Sequence, residues 1–192
     1  MEAISFTSGT WWNPPQLSTI TSDSLALTTD NESDLWRKTS YGFIHDTGHG
    51  LLAPLPDNSA MECDVEATYD HAFDQAGLLV FSSETHWIKC GIEFADGAPQ
   101  LGAVVTRDVS DWSAGVVPEW GSGTTRFRVS RSGDALTIRA QRPGEAWRLV
   151  RLAPLDPTLT WKARPYAASP SRAGLEVTFR NWVQGEADAS LH

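Results

Sequence analysis

The chain has 192 residues and a formal net charge of -9, with 41% hydrophobic and 20% charged residues. That length and balance describe a folded domain with a sizeable core rather than a disordered segment. The surplus of acid excludes nucleic acid and anionic membrane surfaces as partners, because both need clustered Lys and Arg. No apolar run is long enough to span a bilayer.

No long amphipathic helix stands out. Gly, Pro and β-branched residues break each candidate window, while short alternating runs recur. Ala3–Ser8 is the first predicted strand, and Trp11-Trp12-Asn13-Pro14-Pro15 reads as an extended loop. Leu25–Thr29 and Asp34–Thr39 follow, then a Gly-rich turn through Gly48 and Gly50. Met61–Tyr69 alternates strictly, with Met61, Cys63, Val65 and Ala67 against Glu62, Asp64, Glu66 and Thr68. Ala76–Ser82 is mostly apolar and reads as a central strand covered on both faces.

Trp87–Phe94 puts Ile88, Cys90, Ile92 and Phe94 on a core face and Trp87, Lys89, Gly91 and Glu93 on a presented one. Asp96-Gly97 signals a hairpin to Leu101–Thr106. Ser110-Asp111-Trp112-Ser113 is expected in a loop at one end of the sandwich. Arg126–Arg131 and Ala135–Gln141 flank Ser132-Gly133-Asp134, another hairpin. Trp147–Leu152, Trp161–Pro165 and Gly174–Trp182 complete the strands. Many short strands with tight turns indicate an all-β sandwich or barrel. No linker divides the chain, so residues 1–183 read as one domain and 184–192 as a disordered tail. Cys63 and Cys90 take core-facing positions as reduced thiols. With no export signal in the opening residues, this predicts a cytoplasmic protein.

Several of these runs resemble a known family. Asp34-Leu35-Trp36-Arg37-Lys38-Thr39 with Tyr41-Gly42, Asp74-Gln75-Ala76-Gly77-Leu78 and Trp87-Ile88-Lys89-Cys90-Gly91-Ile92-Glu93 carry the resemblance. Val104-Val105-Thr106, Ser110-Asp111-Trp112-Ser113 and Ser169-Pro170 extend it over most of the chain. The pattern is similar to an uncharacterised "regulation of enolase protein"-like family, domain of unknown function 1349, in the concanavalin A-like lectin/glucanase superfamily. That resemblance implies a jelly-roll β-sandwich of two curved antiparallel sheets, one of them concave. It implies no reaction, because superfamily members include lectins, carbohydrate-binding modules and glycosidases.

The presented face of Trp87, Lys89 and Glu93 is the first candidate site. A Trp ring lies well against the C–H face of a pyranose, and Lys and carboxylate groups bond its hydroxyls. Gln75, Asp111 and Trp112 are placed around it, giving a carbohydrate- or polyol-binding protein. The bland alternative is a solvated face with cross-strand ion pairs. Glu62, Asp64 and Glu66 look like the E-x-D-x-E strand of retaining glucanases in the superfamily, which would make Glu62 nucleophile, Asp64 helper and Glu66 acid/base. With 24 acidic residues, such a triple arises by chance roughly 0.4 times per chain. A protein-interaction module acting on a metabolic enzyme is the third reading. His45 and His49, with Asp46 between them, could suggest a metal site, but the Gly48 and Gly50 context reads as a flexible turn and no third ligand is clearly placed, so neither a metal nor a cofactor is expected.

Overall fold

The computed structural model describes residues 1–191. Hairpin chemistry sets the local geometry. Asp96 and Gly97 both have positive φ, 53° and 79°, as a two-residue turn matched to the twist of its strands requires. The flanking strands consequently pair in register from Ala95↔Ala98 to His86↔Arg107.

The strands before the first long hairpin are β1 (Glu2–Ala3), β2 (Thr10–Trp12), β3 (Leu17–Ile20), β4 (Ser24–Thr28), β5 (Leu35–Arg37), β6 (Ile44–Asp46) and β7 (His49–Pro54). The central strands are β8 (Ser59–Thr68), β9 (Gln75–Ser83), β10 (His86–Ala95), β11 (Ala98–Arg107) and β12 (Val109–Val116). The last are β13 (Ser122–Ser132), β14 (Ala135–Gln141), β15 (Arg148–Pro154), β16 (Lys162–Ala168) and β17 (Glu176–Glu186).

One sheet runs β15-β14-β13-β8-β17-β4-β3, with β1 on β17, and the other runs β12-β11-β10-β9-β16-β7-β2. Their inner faces share one core. Ile88, Cys90 and Ile92 face Met61, Cys63 and Val65 across it, as the alternation predicts. Both cysteines are buried and free. This is the antiparallel jelly-roll sandwich expected from the sequence.

Local expectations differ at several places. Trp11-Trp12, expected in an extended loop, lies in β2 and pairs with β7, and Gly50, expected in a turn, lies in β7. Ala3–Ser8 forms only the short β1 and then a 3-10 turn over Phe6–Ser8, because Phe6 turns inward to meet the Trp182 ring at 5.2 Å. Ser110–Ser113 is strand β12, not a loop, paired with β11 along its length. The expected disordered tail is ordered where described. Gln184–Glu186 continues β17, and Asp188 takes ion pairs from Arg128 at 2.8 Å and Arg139 at 3.2 Å. His192, the last residue of that tail, lies outside the described residues.

The β5–β6 hairpin belongs to neither sheet. It covers part of the outer face of the seven-stranded sheet, burying Leu35 against Leu79, Trp87, Val104 and Tyr166. The Arg37 N–H donates to Ser110 Oγ at 3.0 Å, tying β5 to β12. Beside this second apolar layer Arg164 is fully buried. Its guanidinium lies 3.8 Å from the Trp12 ring centroid and 5.4 Å from that of Phe81. None of its three nitrogens has a hydrogen bond among the described residues, so ring faces stand in for the missing acceptors, and burial pushes its pKa well down.

Candidate ligand-binding site

The uncovered part of that outer face is built on a row of glycines. Gly91 of β10 lies opposite Gly77 of β9 and Gly102 of β11. A Cβ on Gly77 would run into the Cys90 carbonyl oxygen, and one on Gly91 into that of Ala76. The strands therefore approach here more closely than any other residue permits. Tyr166, opposite Gly77 on β16, reaches over the row, its Oη 3.1 Å from where a Gly91 Cβ would stand. Lys89 rises on one side of the row and Glu93 on the other, two residues either way along β10.

Above the row opens a cavity of about 230 Å³. Asp34, Gln75, Lys89 and Glu93 supply its polar lining, and Trp36, Tyr41, Phe43, Phe73 and Trp112 supply its rings. A side hollow of about 10 Å³, room for one water, extends between Tyr166, Gly91 and Gly102. The rings hold one another: Tyr41 stacks on Phe43 at 5.3 Å, and Trp36 meets Tyr41 edge-on at 5.7 Å. Tyr41, Phe43, Phe73 and Trp112 are all exposed. Large rings left in water around a hollow with convergent polar groups make this the candidate ligand site.

The polar lining is a network with one member left out. Lys89 is only 3% exposed. It donates to Gln75 Oε1 at 2.6 Å and stands 3.8 Å from Asp34 Oδ1. The same Asp34 oxygen accepts from the Leu35 N–H at 2.7 Å and from Gln75 Nε2 at 3.4 Å. Glu93 is half-buried, and no hydrogen bond to its carboxylate exists among the described residues. Burial pushes its carboxyl above the ordinary value; Lys89 pulls it back and Asp34 pushes it further up.

Of the residues expected to bind, Gln75, Lys89, Glu93 and Trp112 come together here. Trp87 does not. It is 1% exposed, lies under the β5–β6 hairpin, and donates its indole N–H to the Glu84 carbonyl at 3.2 Å. Asp111 points the other way from Trp112, as neighbours on a strand must, and pairs with Arg151 at 2.9 Å. Asp34, Tyr41, Phe43, Phe73 and Tyr166 were not singled out from the sequence. Asp34 and Tyr41 stood in the runs that carry the family resemblance and Phe43 ends the Trp36-to-Phe43 cluster of rings, while Phe73 and Tyr166 had no local signal.

The acidic triple lies on the other sheet. Glu62 pairs with Arg128 at 2.7 Å, Asp64 with Arg126 at 2.5 Å and Glu66 with Arg180 at 2.6 Å. Each carboxylate has its own arginine, and none lines the cavity. His45 packs edge-on against Phe43, while His49 is buried with both nitrogens in use, toward the Asn13 carbonyl and the Asp30 N–H. Asp70, His71 and Asp74 cluster with ligand atoms within 4.8 Å of one another. Arg172 pairs with both acids there, at 3.2 Å and 2.5 Å.

Fold and site together define a concanavalin A-like jelly-roll sandwich with an aromatic-rimmed pocket on one sheet. The chain belongs to the family described as "Protein of unknown function (DUF1349)", whose model matches residues 11–186. It is 37% identical over 176 residues to "Regulation of enolase protein 1" of Saccharomyces cerevisiae, covering 91% of this chain and 87% of that one. A crystal structure of a functionally unknown protein from Saccharomyces cerevisiae superposes with a TM-score of 0.90 at 34% identity, covering 96% of this chain and all (100%) of that one. A GH43 protein from Bacillus licheniformis shares the fold alone, with a TM-score of 0.69 at 13% identity over 96% of this chain and 39% of that one. No helix among the described residues is long and apolar enough to cross a membrane.

Proposed function

We propose that the protein binds a small carbohydrate or polyol in the pocket between β10 and the β5–β6 hairpin, without turning it over. The observation that carries this reading is the pairing of exposed rings with the Asp34–Gln75–Lys89 network and Glu93 in one cavity of about 230 Å³. Ring faces suit the C–H faces of a sugar, and the network offers donors and acceptors to its hydroxyls. Drug-sized ligands fill about 300–1,000 Å³, so this volume favours one sugar ring or an open-chain polyol. The test is calorimetry against a panel of monosaccharides and polyols. Binding of at least one, lost in Trp112→Ala, supports the reading; silence across the panel up to millimolar ligand overturns it.

A partner protein is the second reading, favoured by the yeast relative's name and by exposed Tyr41, Phe43 and Ile44 on one hairpin. Capture of purified enolase by the wild type, lost in Ile44→Asp, would support it. The retaining glycosidase on Glu62, Asp64 and Glu66 has less in its favour, since each carboxylate already neutralises an arginine. Turnover of an aryl glycoside that Glu62→Gln abolishes would revive it. We assign the protein to the cytoplasm on its two buried free thiols.

A further inference from the structure

The pocket lining holds two carboxylates and one ammonium. Asp34 answers Lys89, at 3.8 Å, with Gln75 filling a further donor position of that ammonium at 2.6 Å. Glu93 has no counterpart. Lys89 and Asp34 are the charged groups that act on it, with opposite signs, and no donor among the described residues reaches its oxygens. A half-buried carboxylate without a donor is an unmet demand, because a desolvated acceptor left bare is destabilising.

The rings around it set the kind of donor. Trp36, Tyr41, Phe43, Phe73 and Trp112 ring the same cavity. An aromatic face attracts a cation within about 6 Å of its centroid, and several faces with one acid form the cage that selects ammonium groups. The Tyr41–Phe43 stack, 10° from parallel, keeps two of those rings ordered before anything binds. A neutral hydroxyl would give the Glu93 carboxylate a hydrogen bond only, whereas an ammonium adds the attraction of an opposite charge. It would also leave the surplus negative charge uncancelled.

We propose that the natural ligand is an amine-bearing sugar or polyol, its ammonium held between the Glu93 carboxylate and the aromatic rim and its hydroxyls on the Asp34–Gln75–Lys89 network. This rests on the polyol reading of the same pocket and adds a charge to it. Glu93 then selects for the amine, while Lys89, with two of its three donors turned to Gln75 and Asp34, offers the third to a hydroxyl oxygen.

Matched pairs test the charge separately from the sugar. Calorimetry at pH 6.5 compares glucosamine with glucose, galactosamine with galactose, mannosamine with mannose, and 1-amino-1-deoxysorbitol with sorbitol. The expected result is at least one pair in which the amine binds tenfold or more tightly, with N-acetylation of that amine returning affinity to the level of the hydroxyl parent. Glu93→Gln should erase the preference. The acetylated arm needs no variant, so a folding defect in Glu93→Gln does not blunt the test. Equal or weaker binding of the amine in all four pairs overturns the proposal, as does a preference that survives Glu93→Gln in a folded variant. If the parents bind without preference, only the charge assignment falls. If nothing binds, the polyol reading falls with it.

Discussion

Lys89 donates to Gln75 Oε1 at 2.6 Å while buried to 3% exposure, so two neighbouring strands are joined through a charged side chain rather than an apolar one. Removing the ammonium strands the Gln75 carbonyl oxygen and takes the counter-charge from Asp34, which keeps its bonds from the Leu35 N–H and Gln75 Nε2. Lys89→Met keeps the stem and should still destabilise the protein by about 1–3 kcal/mol, the penalty for bare buried acceptors. Urea unfolding measures it. A variant as stable as the wild type would mean that water replaces the ammonium without loss.

Trp87 and Trp112 separate packing from binding. Trp87→Ala empties a site enclosed by Leu35, Leu79 and Tyr166 and should lose about 3–5 kcal/mol. Trp112 is 38% exposed, so Trp112→Ala should stay within about 1 kcal/mol of wild type while abolishing ligand binding. Equal stability losses in the two would remove Trp112 from the pocket rim as a functional group.

Glu93 gives a pH signature. Its folded pKa lies above the ordinary 4.5, chiefly through burial. A raised carboxyl pKa contributes stability that is present below the unfolded value and is lost as pH rises through the folded one. Glu93→Gln should therefore be at least as stable as wild type at pH 7 and show no advantage at pH 4. A variant less stable at pH 7 would mean that the ionised carboxylate has a stabilising partner in the free protein.

Asp64 behaves oppositely. Burial alone would raise its carboxyl, but the Arg126 fork and the Asn181 amide outweigh burial and hold it below 3.8. That stability is present above the unfolded pKa and lost as pH falls through the folded one. Asp64→Asn should lose about 1–3 kcal/mol at pH 7, a deficit that shrinks in urea titrations as pH falls below the ordinary value of 3.8. Ligand affinity should not change, since Asp64 lies away from the cavity.

The period-two alternation of β10 was enough to sort Ile88, Cys90 and Ile92 into the core and Lys89 and Glu93 onto the pocket side, because that pattern is local. Trp87 has the same parity as Lys89, yet it is buried. What buries it is Leu35 on a hairpin some fifty residues earlier, and no local pattern announces a second layer. Asp111 fails for a smaller reason: reading β12 as a loop removes the rule that neighbours face opposite ways. The acidic triple alternates as cleanly as β10, but which sheet a strand joins is decided by long-range pairing, and β8 joined the other one. Asp188 finds Arg128 and Arg139 through the same kind of distant contact.

The glycine row Gly77–Gly91–Gly102 bears on how such a protein can diversify. The simplest mutation that erases a recess is a methyl growing into it, one base change from glycine to alanine. Here that methyl meets a neighbouring strand's carbonyl first, at an overpacking penalty of about 1–3 kcal/mol. The recess is thus built into the backbone of the sandwich, and substitution at these glycines would disturb the sheet before it filled the hollow. Trp112, Tyr41, Phe43 and Phe73 stand in water, so the rim, unlike the floor, can change shape without moving a strand.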